Sequence, residues 1–572
     1  MKPAILRWFP VAVLALLCLS TTALFGQGVT TAAIGGKVES TTGEALPGAN
    51  IIAVHVPSGT TYGTSSRPNG RYTIPNVRVG GPYTLTVSFV GYKRSVQENV
   101  WTTLSQTLDL NFKMAEEAIQ AAEVVITAER SAVMSAGRTG AATNFSKLAL
   151  ATMPTISGRL QDFARLTPEA RGGSSFVGQD NRYNNTTVDG SYFNNSFGLA
   201  GQPGERTGVA PISLDAIEQV QVNIAPYDVR QGNFVGAGVN TVTKSGTNNF
   251  TGSVAYGWRH QGLVGTKVGD LTYNPGKFQY DKLTVSVGGP IIKNKLFFFV
   301  NYEGDKTEQP GTTYTANPGG APVTGSMTRV LASDLDALSS FLTTKFQYSP
   351  GTYAGYNFAT PGKRYLAKLD FNLDQNNKLV LRYNRLDSQT DVLLSNSSSL
   401  GGSTSSSNGR RSGTQALNFS GSNYKILENN WSIIGEWSSV VSNNMANNLI
   451  VGYTYSDESR GDVGKLFPFV DIMNAGTVYT SFGSEPFTPN NELRYSSYQI
   501  QDNFTVDLGN HVLTFGFSGE KYRSENVFFP GKQSVYVYSS LADFYTDAND
   551  YLANPNRTTS PVTLNRFQVR YK

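Results

Sequence analysis

The chain has 572 residues, a length that calls for several domains rather than one core. Only 39% of its residues are hydrophobic, and no apolar run approaches the roughly 20 residues of a membrane-crossing helix, so any membrane contact must be made by strands. The net charge of +5 comes without basic runs, which argues against nucleic acid as a partner, and 58 glycines with 29 tyrosines and 31 phenylalanines suit a chain rich in strands and turns.

The first 26 residues read as a signal peptide: Lys2 and Arg7 supply a positive start, Val11 to Leu19 an apolar core, and small residues follow through Ala23 and Gly26. Cys18 is the only cysteine and falls inside this segment. Leu17 before it does not fit a lipoprotein signal, so the mature chain is expected to carry no thiol or disulfide. Residues 27–113 read as a small β-sandwich. Ile52, Val54 and Val56 alternate with their neighbours, as do Tyr83, Leu85, Val87 and Phe89, and the turn signals Thr42-Gly43, Pro57-Ser58-Gly59 and Pro68-Asn69-Gly70 separate the strands. The segments GGKVESTTGEALPGANI, PNGRYTIPNV and YTLTVSFVGYK resemble the carboxypeptidase regulatory-like domain. That resemblance implies a transthyretin-like sandwich without peptidase chemistry, serving as a spacer or binding carbohydrate.

Residues 114–128 form a linker that ends in Glu123, Val124, Val125, Ile126, Thr127 and Ala128. A β-branched run without proline suits strand addition to another protein's sheet, and it equally suits the first strand of the next domain. Residues 129–248 read as a compact α/β unit. Arg159 to Leu166 predicts a helical turn, Thr187-Val188-Asp189-Gly190 a strand entering a tight turn, and Ile212 to Asp228 a short helix capped by Ser213 or Asp215 before a strand. Two Gly- and Asn-rich loops, 171–185 and 192–208, lie between these elements.

The pattern changes at the join Val239 to Trp258. Ser245 to Asn249 makes a turn, and Lys244, Gly246 and Asn249 are the joint residues. From Phe250 onward, apolar residues fall on one face and small or polar ones on the other. Leu283, Val285 and Val287, then Leu296, Phe298, Val300 and Tyr302, then Leu369 and Phe371, then Leu379, Leu381 and Tyr383 repeat this, with Val562 to Tyr571 as a last strand. The links near 290–294, 374–377, 441–446 and 507–511 are tight, whereas 262–280, 304–362, 388–429, 456–494 and 524–560 are long and polar. Short turns on one rim and long loops on the other are the sidedness of an outer-membrane barrel. Residues 249–572 therefore read as the N-terminal part of a transmembrane β-barrel, and the chain as a whole as mainly β.

The order of these segments, with TTVDG at 186–190, DAIEQVQV at 215–222, NTVTKSGTNNFTGS at 240–253 and VGGPIIKNKLFFFVNYEG at 287–304, resembles the Oar-like TonB-dependent outer-membrane receptors. The resemblance implies that residues 129–248 are a plug inside the barrel and that Glu123 to Ala128 contacts TonB, although this segment lies directly against the plug. It also implies about 22 strands, against about ten countable here, so the sequence reads as an incomplete receptor. Its implied place is the bacterial outer membrane with the N-terminal domain in the periplasm, and its function TonB-driven transport of an unidentified ligand, carbohydrate or peptide. The alternative is a structural or adhesive surface barrel whose sandwich binds carbohydrate.

The chemistry of an enzyme is absent from the sequence. His55, His260 and His511 are far apart, no HExxH or GxxxxGK motif occurs, and no catalytic residue, metal or cofactor is expected. His55 reads as an exposed sandwich residue. Asp180, Asp189 and Asp228 lack the spacing of a Ca²⁺ loop. The plug arginines Arg159, Arg165, Arg171 and Arg182 either pair with inward barrel acids such as Asp370 or are solvated. Arg171, Arg182, Tyr183, Tyr192, Phe193 and Phe197 are the candidates to face a ligand, the aromatics otherwise packing on the barrel wall.

Overall fold

The computed structural model describes residues 29–116, 124–127 and 141–570, apart from 156–157, 172–174, 196, 273–274, 398, 401–408 and 510. The expected signal peptide, with Cys18, lies outside them.

Alternation of apolar and polar residues folds the N-terminal part into two packed sheets. β1 (Ala32–Ser40) pairs with β4 (Arg71–Val77), β7 (Thr107–Asp109) and β8 (Phe112–Met114). The facing sheet runs β3 (Thr60–Ser65), β2 (Asn50–His55), β5 (Gly80–Ser88), β6 (Ser95–Thr102) and β9 (Val124–Thr127). Ile34, Val38, Ile51, Tyr72, Ile74, Leu85 and Val87 are almost fully buried between the sheets. His55 is buried as well, which corrects the expectation of an exposed side chain. Its place in β2 is on the inward side with Ile51 and Ala53, a parity that Ile52 and Val54 masked in the sequence.

The next unit is a five-stranded mixed sheet in the order Ala142–Ser146, Ile217–Asn223, Gly238–Thr243, Asn185–Val188, Ser191–Tyr192. The predicted helical turn is present as Leu160–Ala164. The predicted helix before the strand is a single 3-10 turn, Leu214–Ala216, with the Ser213 hydroxyl accepting from the Asp215 N–H at 3.3 Å. Phe145, Phe163, Val188, Phe193, Val220 and Val222 form its core, and Phe299 and Leu366 of the large sheet complete it.

The large sheet is antiparallel throughout and follows chain order: Thr251–His260, Gln279–Ile292, Leu296–Pro310, Asn357–Asn372, Asn377–Val392, Tyr424–Ser442, Met445–Asp457, Asn491–Asp507 and Val512–Phe528. The strands between the two outermost ones alternate in burial with period two, and the sense is inside out. Leu283, Val287, Val300, Leu369, Leu381, Ile433, Val451 and Ile500 are exposed on one side, whereas Glu303, Arg364, Lys368, Asp370, Arg382, Asn384, Asn430 and Gln501 are buried on the other. An apolar outer band over a polar interior is what lipid outside and a filled lumen inside select. No helix among the described residues is long and apolar enough to cross a membrane.

Two sequence expectations fail at the C-terminal end and in the long links. The described part of the expected last strand, 562–570, is not a further barrel strand: Arg566–Gln568 pairs with Val535–Tyr538 in a small sheet built from the long links, together with Phe469–Asn474 and Thr477–Phe482. The long links are therefore not simply polar loops. The helices Ala332–Phe346 and Leu541–Ala553 pack with this sheet around Leu335, Leu338, Leu342, Phe419, Ile472, Phe482 and Phe544.

Candidate functional site

The seam where the five-stranded unit meets the inner face of the large sheet is polar and centred on Asp189. Asp189 and Gly190 take the turn between Asn185–Val188 and Ser191–Tyr192 with φ of 44° and 76°. A side chain at Gly190 would meet Ile450 of the large sheet at 2.6 Å, so glycine permits the close approach of the turn to the wall. The Asp189 carboxylate accepts from the Thr243 N–H at 2.8 Å and hydroxyl at 2.6 Å. Two wall cations reach the same carboxylate: Lys368 Nζ at 3.8 Å and Arg382 Nη1 at 3.6 Å. Arg382 also donates to the Val188 carbonyl at 2.6 Å and the Ser191 hydroxyl at 3.0 Å, and Lys368 donates to the Thr243 carbonyl at 3.2 Å. One acid of the inner unit thus answers two bases of the wall in a buried, hydrogen-bonded cluster.

Further contacts flank this centre. Arg364 of the wall donates to the Ala210 carbonyl at 2.6 Å and pairs with Glu303 and with Asp305, the latter at 2.7 Å, while Ser213 donates to Glu303 at 2.7 Å. Nearer the long loops, Asn195 donates to Glu458 at 2.7 Å and the Thr207 N–H to Glu428 at 2.8 Å.

The sandwich seals the other end. Arg78 pairs with Asp370 at 2.9 Å, Thr73 donates to Asp507 at 2.9 Å, Asn443 donates to Ser65 at 3.0 Å, and Lys378 stands 4.2 Å from the Tyr62 ring centre. These wall residues lie at the tight-turn ends of the strands, the periplasmic rim of such barrels. The sandwich also grips the inner unit: Gln219 exchanges bonds with the Leu104 N–H at 3.0 Å and the Thr102 carbonyl at 3.1 Å, and Gln221 donates to the Leu104 carbonyl at 2.7 Å. A cavity of about 280 Å³ remains where the three parts meet, lined among others by Thr30, His55, Arg78, Asp189, Lys368 and Lys378.

The predicted site residues scatter across this geometry. Asp370 is taken by Arg78 and by the Ser245 hydroxyl at 3.1 Å, not by a plug arginine. Arg159 instead donates to the Gly208 carbonyl, and Arg182 pairs with Asp180 at 2.8 Å on the surface. Arg165 and Arg171 are exposed. Tyr192 and Phe193 are buried, at 5% and 1% exposure, which corrects their assignment as ligand-facing: Phe193 belongs to the inner unit's core and the Tyr192 N–H donates to Gln499. Tyr183 and Phe197 are exposed. At the joint, Lys244 pairs with Asp215 at 3.2 Å, and a side chain at Gly246 would meet the Phe298 carbonyl at 2.3 Å. Asn249 is exposed, and its neighbour Asn248 donates to Asn294 at 2.6 Å. Of the segment 123–128, Val124–Thr127 is a strand, and Glu123 and Ala128 lie outside the described residues. Sequence reasoning missed Asp189, Lys368, Arg382 and Arg364. Charged residues on the polar face of a barrel strand were the available signal. Among the described residues no three His, Cys, Asp or Glu side chains gather to hold a metal.

An outer-membrane barrel with a polar, filled lumen is the class that this geometry defines, and the comparisons agree. Residues 242–570 match the outer membrane beta barrel domain and residues 33–115 the carboxypeptidase regulatory-like domain. The chain belongs to the outer membrane beta barrel domain family and resides in the outer membrane. The chain is also similar to the TonB-dependent transporter Oar of Myxococcus xanthus, 28% identical over 251 residues. That match covers 41% of this chain and 23% of the relative, so the chain aligns with about a quarter of the curated protein. Among solved structures, the outer membrane transporter YddB from Escherichia coli matches 69% of this chain and 50% of its own, with TM-score 0.47 and 13% identity. A mutant of the ferric enterobactin receptor PfeA from Pseudomonas aeruginosa matches 68% and 49%, with TM-score 0.40 and 15% identity.

Proposed function

We propose that this chain takes part in TonB-dependent transport across the outer membrane, with residues 129–248 as a plug held in the lumen and the segment 123–128 as the contact for TonB. The observation that carries this reading is the seam around Asp189. A stopper meant to stay would be expected to pack with apolar side chains. This one meets the wall largely through hydrogen bonds and ion pairs, which water can replace when the unit is pulled. The energy comes from the partner, so the reading needs no catalytic residue, metal or cofactor.

Ligand enters from the long-loop side, where Arg171, Arg182, Tyr183 and Phe197 remain available on the plug. Its class is a carbohydrate or a peptide. The test uses the detergent-purified chain and the periplasmic domain of its cognate TonB. Binding that is abolished by deleting residues 123–128 supports the reading. Binding indifferent to that deletion, or no binding, overturns it and leaves the adhesive barrel as the better account.

A further inference from the structure

The inner face of the wall sets two acids against each other. In the antiparallel pair Tyr424–Ser442 and Met445–Asp457 the register joins Asn429 to Asp457 and, further along, Ile426 to Arg460, so Glu428 and Glu458 stand directly opposite. Like charges so placed lie about 4.5–5.5 Å apart at Cβ and destabilise a sheet. Both side chains are buried, at 1% and 3% exposure, which adds a cost of desolvation. Among the described residues Glu458 has one ion pair, with Arg206 of the inner unit at 3.9 Å, and Glu428 has none. We propose that Glu428 and Glu458 form a subsite for a positively charged group of the ligand, a guanidinium or ammonium as a basic peptide carries, and that Arg206 stands in for it while the site is unliganded. The inference rests on the transport reading above and narrows its ligand class to a basic peptide.

Three observations carry it. First, each carboxylate is only half used. Glu428 Oε2 accepts from the Thr207 N–H at 2.8 Å, and Glu458 Oε1 accepts from the Tyr495 hydroxyl at 2.6 Å and from Asn195 at 2.7 Å. Their other oxygens, Glu428 Oε1 and Glu458 Oε2, have no hydrogen-bond partner. Second, the next inward side chain along the strand, Asn430, is 2% exposed, gives its amide to Ser456 at 2.8 Å and leaves Oδ1 without a partner. These free atoms are all acceptors, complementary to a guanidinium or ammonium, whose N–H groups only donate. A neutral sugar would bring donors but no counter-charge for the two acids. Third, Arg206 reaches the pair without completing it, since its Nη1 is buried and makes no hydrogen bond. A base on the ligand can therefore make the bonds that Arg206 leaves unmade. The pair also sits at the long-loop ends of its strands, the side from which the ligand enters in the reading above.

The test exploits the opposite signs expected at the two sides of the site. Tri-arginine, tri-glutamate and maltotriose are each titrated into the full chain, purified in a non-ionic detergent. The expected result is saturable binding of tri-arginine alone. Glu428→Gln combined with Glu458→Gln, which keeps the shape of both side chains, should weaken that binding at least about tenfold, and Arg206→Ala should strengthen it by about threefold or more. Should the double variant fail to fold, Glu428→Gln alone carries the same comparison. Absence of tri-arginine binding to both the parent and Arg206→Ala overturns the proposal, as does equal binding of maltotriose. So does an affinity of the Gln variant within about twofold of the parent, or weaker binding by Arg206→Ala, since a cluster that merely holds the inner unit to the wall would not gain affinity on losing its arginine. Binding of TonB by the 123–128 deletion would instead overturn the underlying reading, an outcome independent of the affinity for tri-arginine.

Discussion

Asp189 sits where three demands coincide: a turn with positive φ, a buried position, and two cations from the facing wall. Aspartate tolerates the turn, and its charge answers Lys368 and Arg382, which are 6% and 1% exposed. Replacing Asp189 with alanine leaves both cations buried without a counter-charge, a change expected to cost about 3–5 kcal/mol. Protease digestion of the detergent-solubilised variant should release fragments of 129–248 that the parent protects, and unchanged protection would refute the cluster's anchoring role. His55 makes a second prediction at this scale. Burial, and then the charge of Arg78, lower its pKa from 6.5 to about 3. The unfolded chain therefore takes up a proton below about pH 6.5 that the folded sandwich refuses until about pH 3. This contribution to stability is complete above pH 6.5, falls as the pH drops through that window, and amounts to at most about 5 kcal/mol. Protection factors of the sandwich amides, which correct for the slower intrinsic exchange in acid, should fall on acidification from pH 7 to pH 4, with a weaker dependence in His55→Gln.

The strands of the large sheet are legible because each obeys one rule on each face, and this makes substitution asymmetric. Leu381 is 47% exposed on the outer face and its neighbour Arg382 is 1% exposed on the inner one. Leu381→Arg should destabilise by about 2–4 kcal/mol in a bilayer if the residue lies near the midplane. It should cost little in a detergent that wets the outer face, and comparing unfolding in vesicles with unfolding in such a detergent checks this. The joint is less forgiving. At Gly246 even a methyl group would press on the Phe298 and Gly289 carbonyls at 2.3 and 2.7 Å, both of them backbone. Gly246→Ala should therefore lower stability by about 2–3 kcal/mol and reduce the folded yield in the outer membrane, read from the heat-modifiable gel shift. The same change at Gly257, where nothing lies within 4 Å, should be silent and serves as the control.

Three bodies, the sandwich, the inner five-stranded unit and the large sheet, meet at one set of polar contacts, and the sandwich bonds both other bodies. Removing Arg78 breaks the link to Asp370 and leaves that buried acid with Ser245 alone. Arg78→Ala should loosen the sandwich from the rim while leaving the contacts of Thr102 and Leu104 with Gln219 and Gln221 in place. Limited proteolysis within residues 114–128 should then become faster, and more so in high salt, which screens the remaining rim pairs. The cap built by the long links belongs to the same scale. Its helices and strands come from three separate long links, joined around Leu335, Phe482 and Phe544.

Periodicity needs only neighbours, and so the chain's own order of residues was enough to determine the sandwich, the strands with their inner and outer faces, the turn at TTVDG and the sidedness of short and long links. Leu335, Leu338 and Leu342 even carry the three-and-four spacing of the cap helix, a signal hidden by the polar loop around it. Pairings between distant segments were another matter. That Asp370 answers Arg78 rather than a plug arginine, that Lys368 and Arg382 converge on Asp189, that Phe193 turns inward, and that Val124–Thr127 completes the sandwich were decided by tertiary structure alone. A charge or a strand edge leaves no periodic trace of its partner, because attraction between them depends on distance in space, and distance along the chain does not report it.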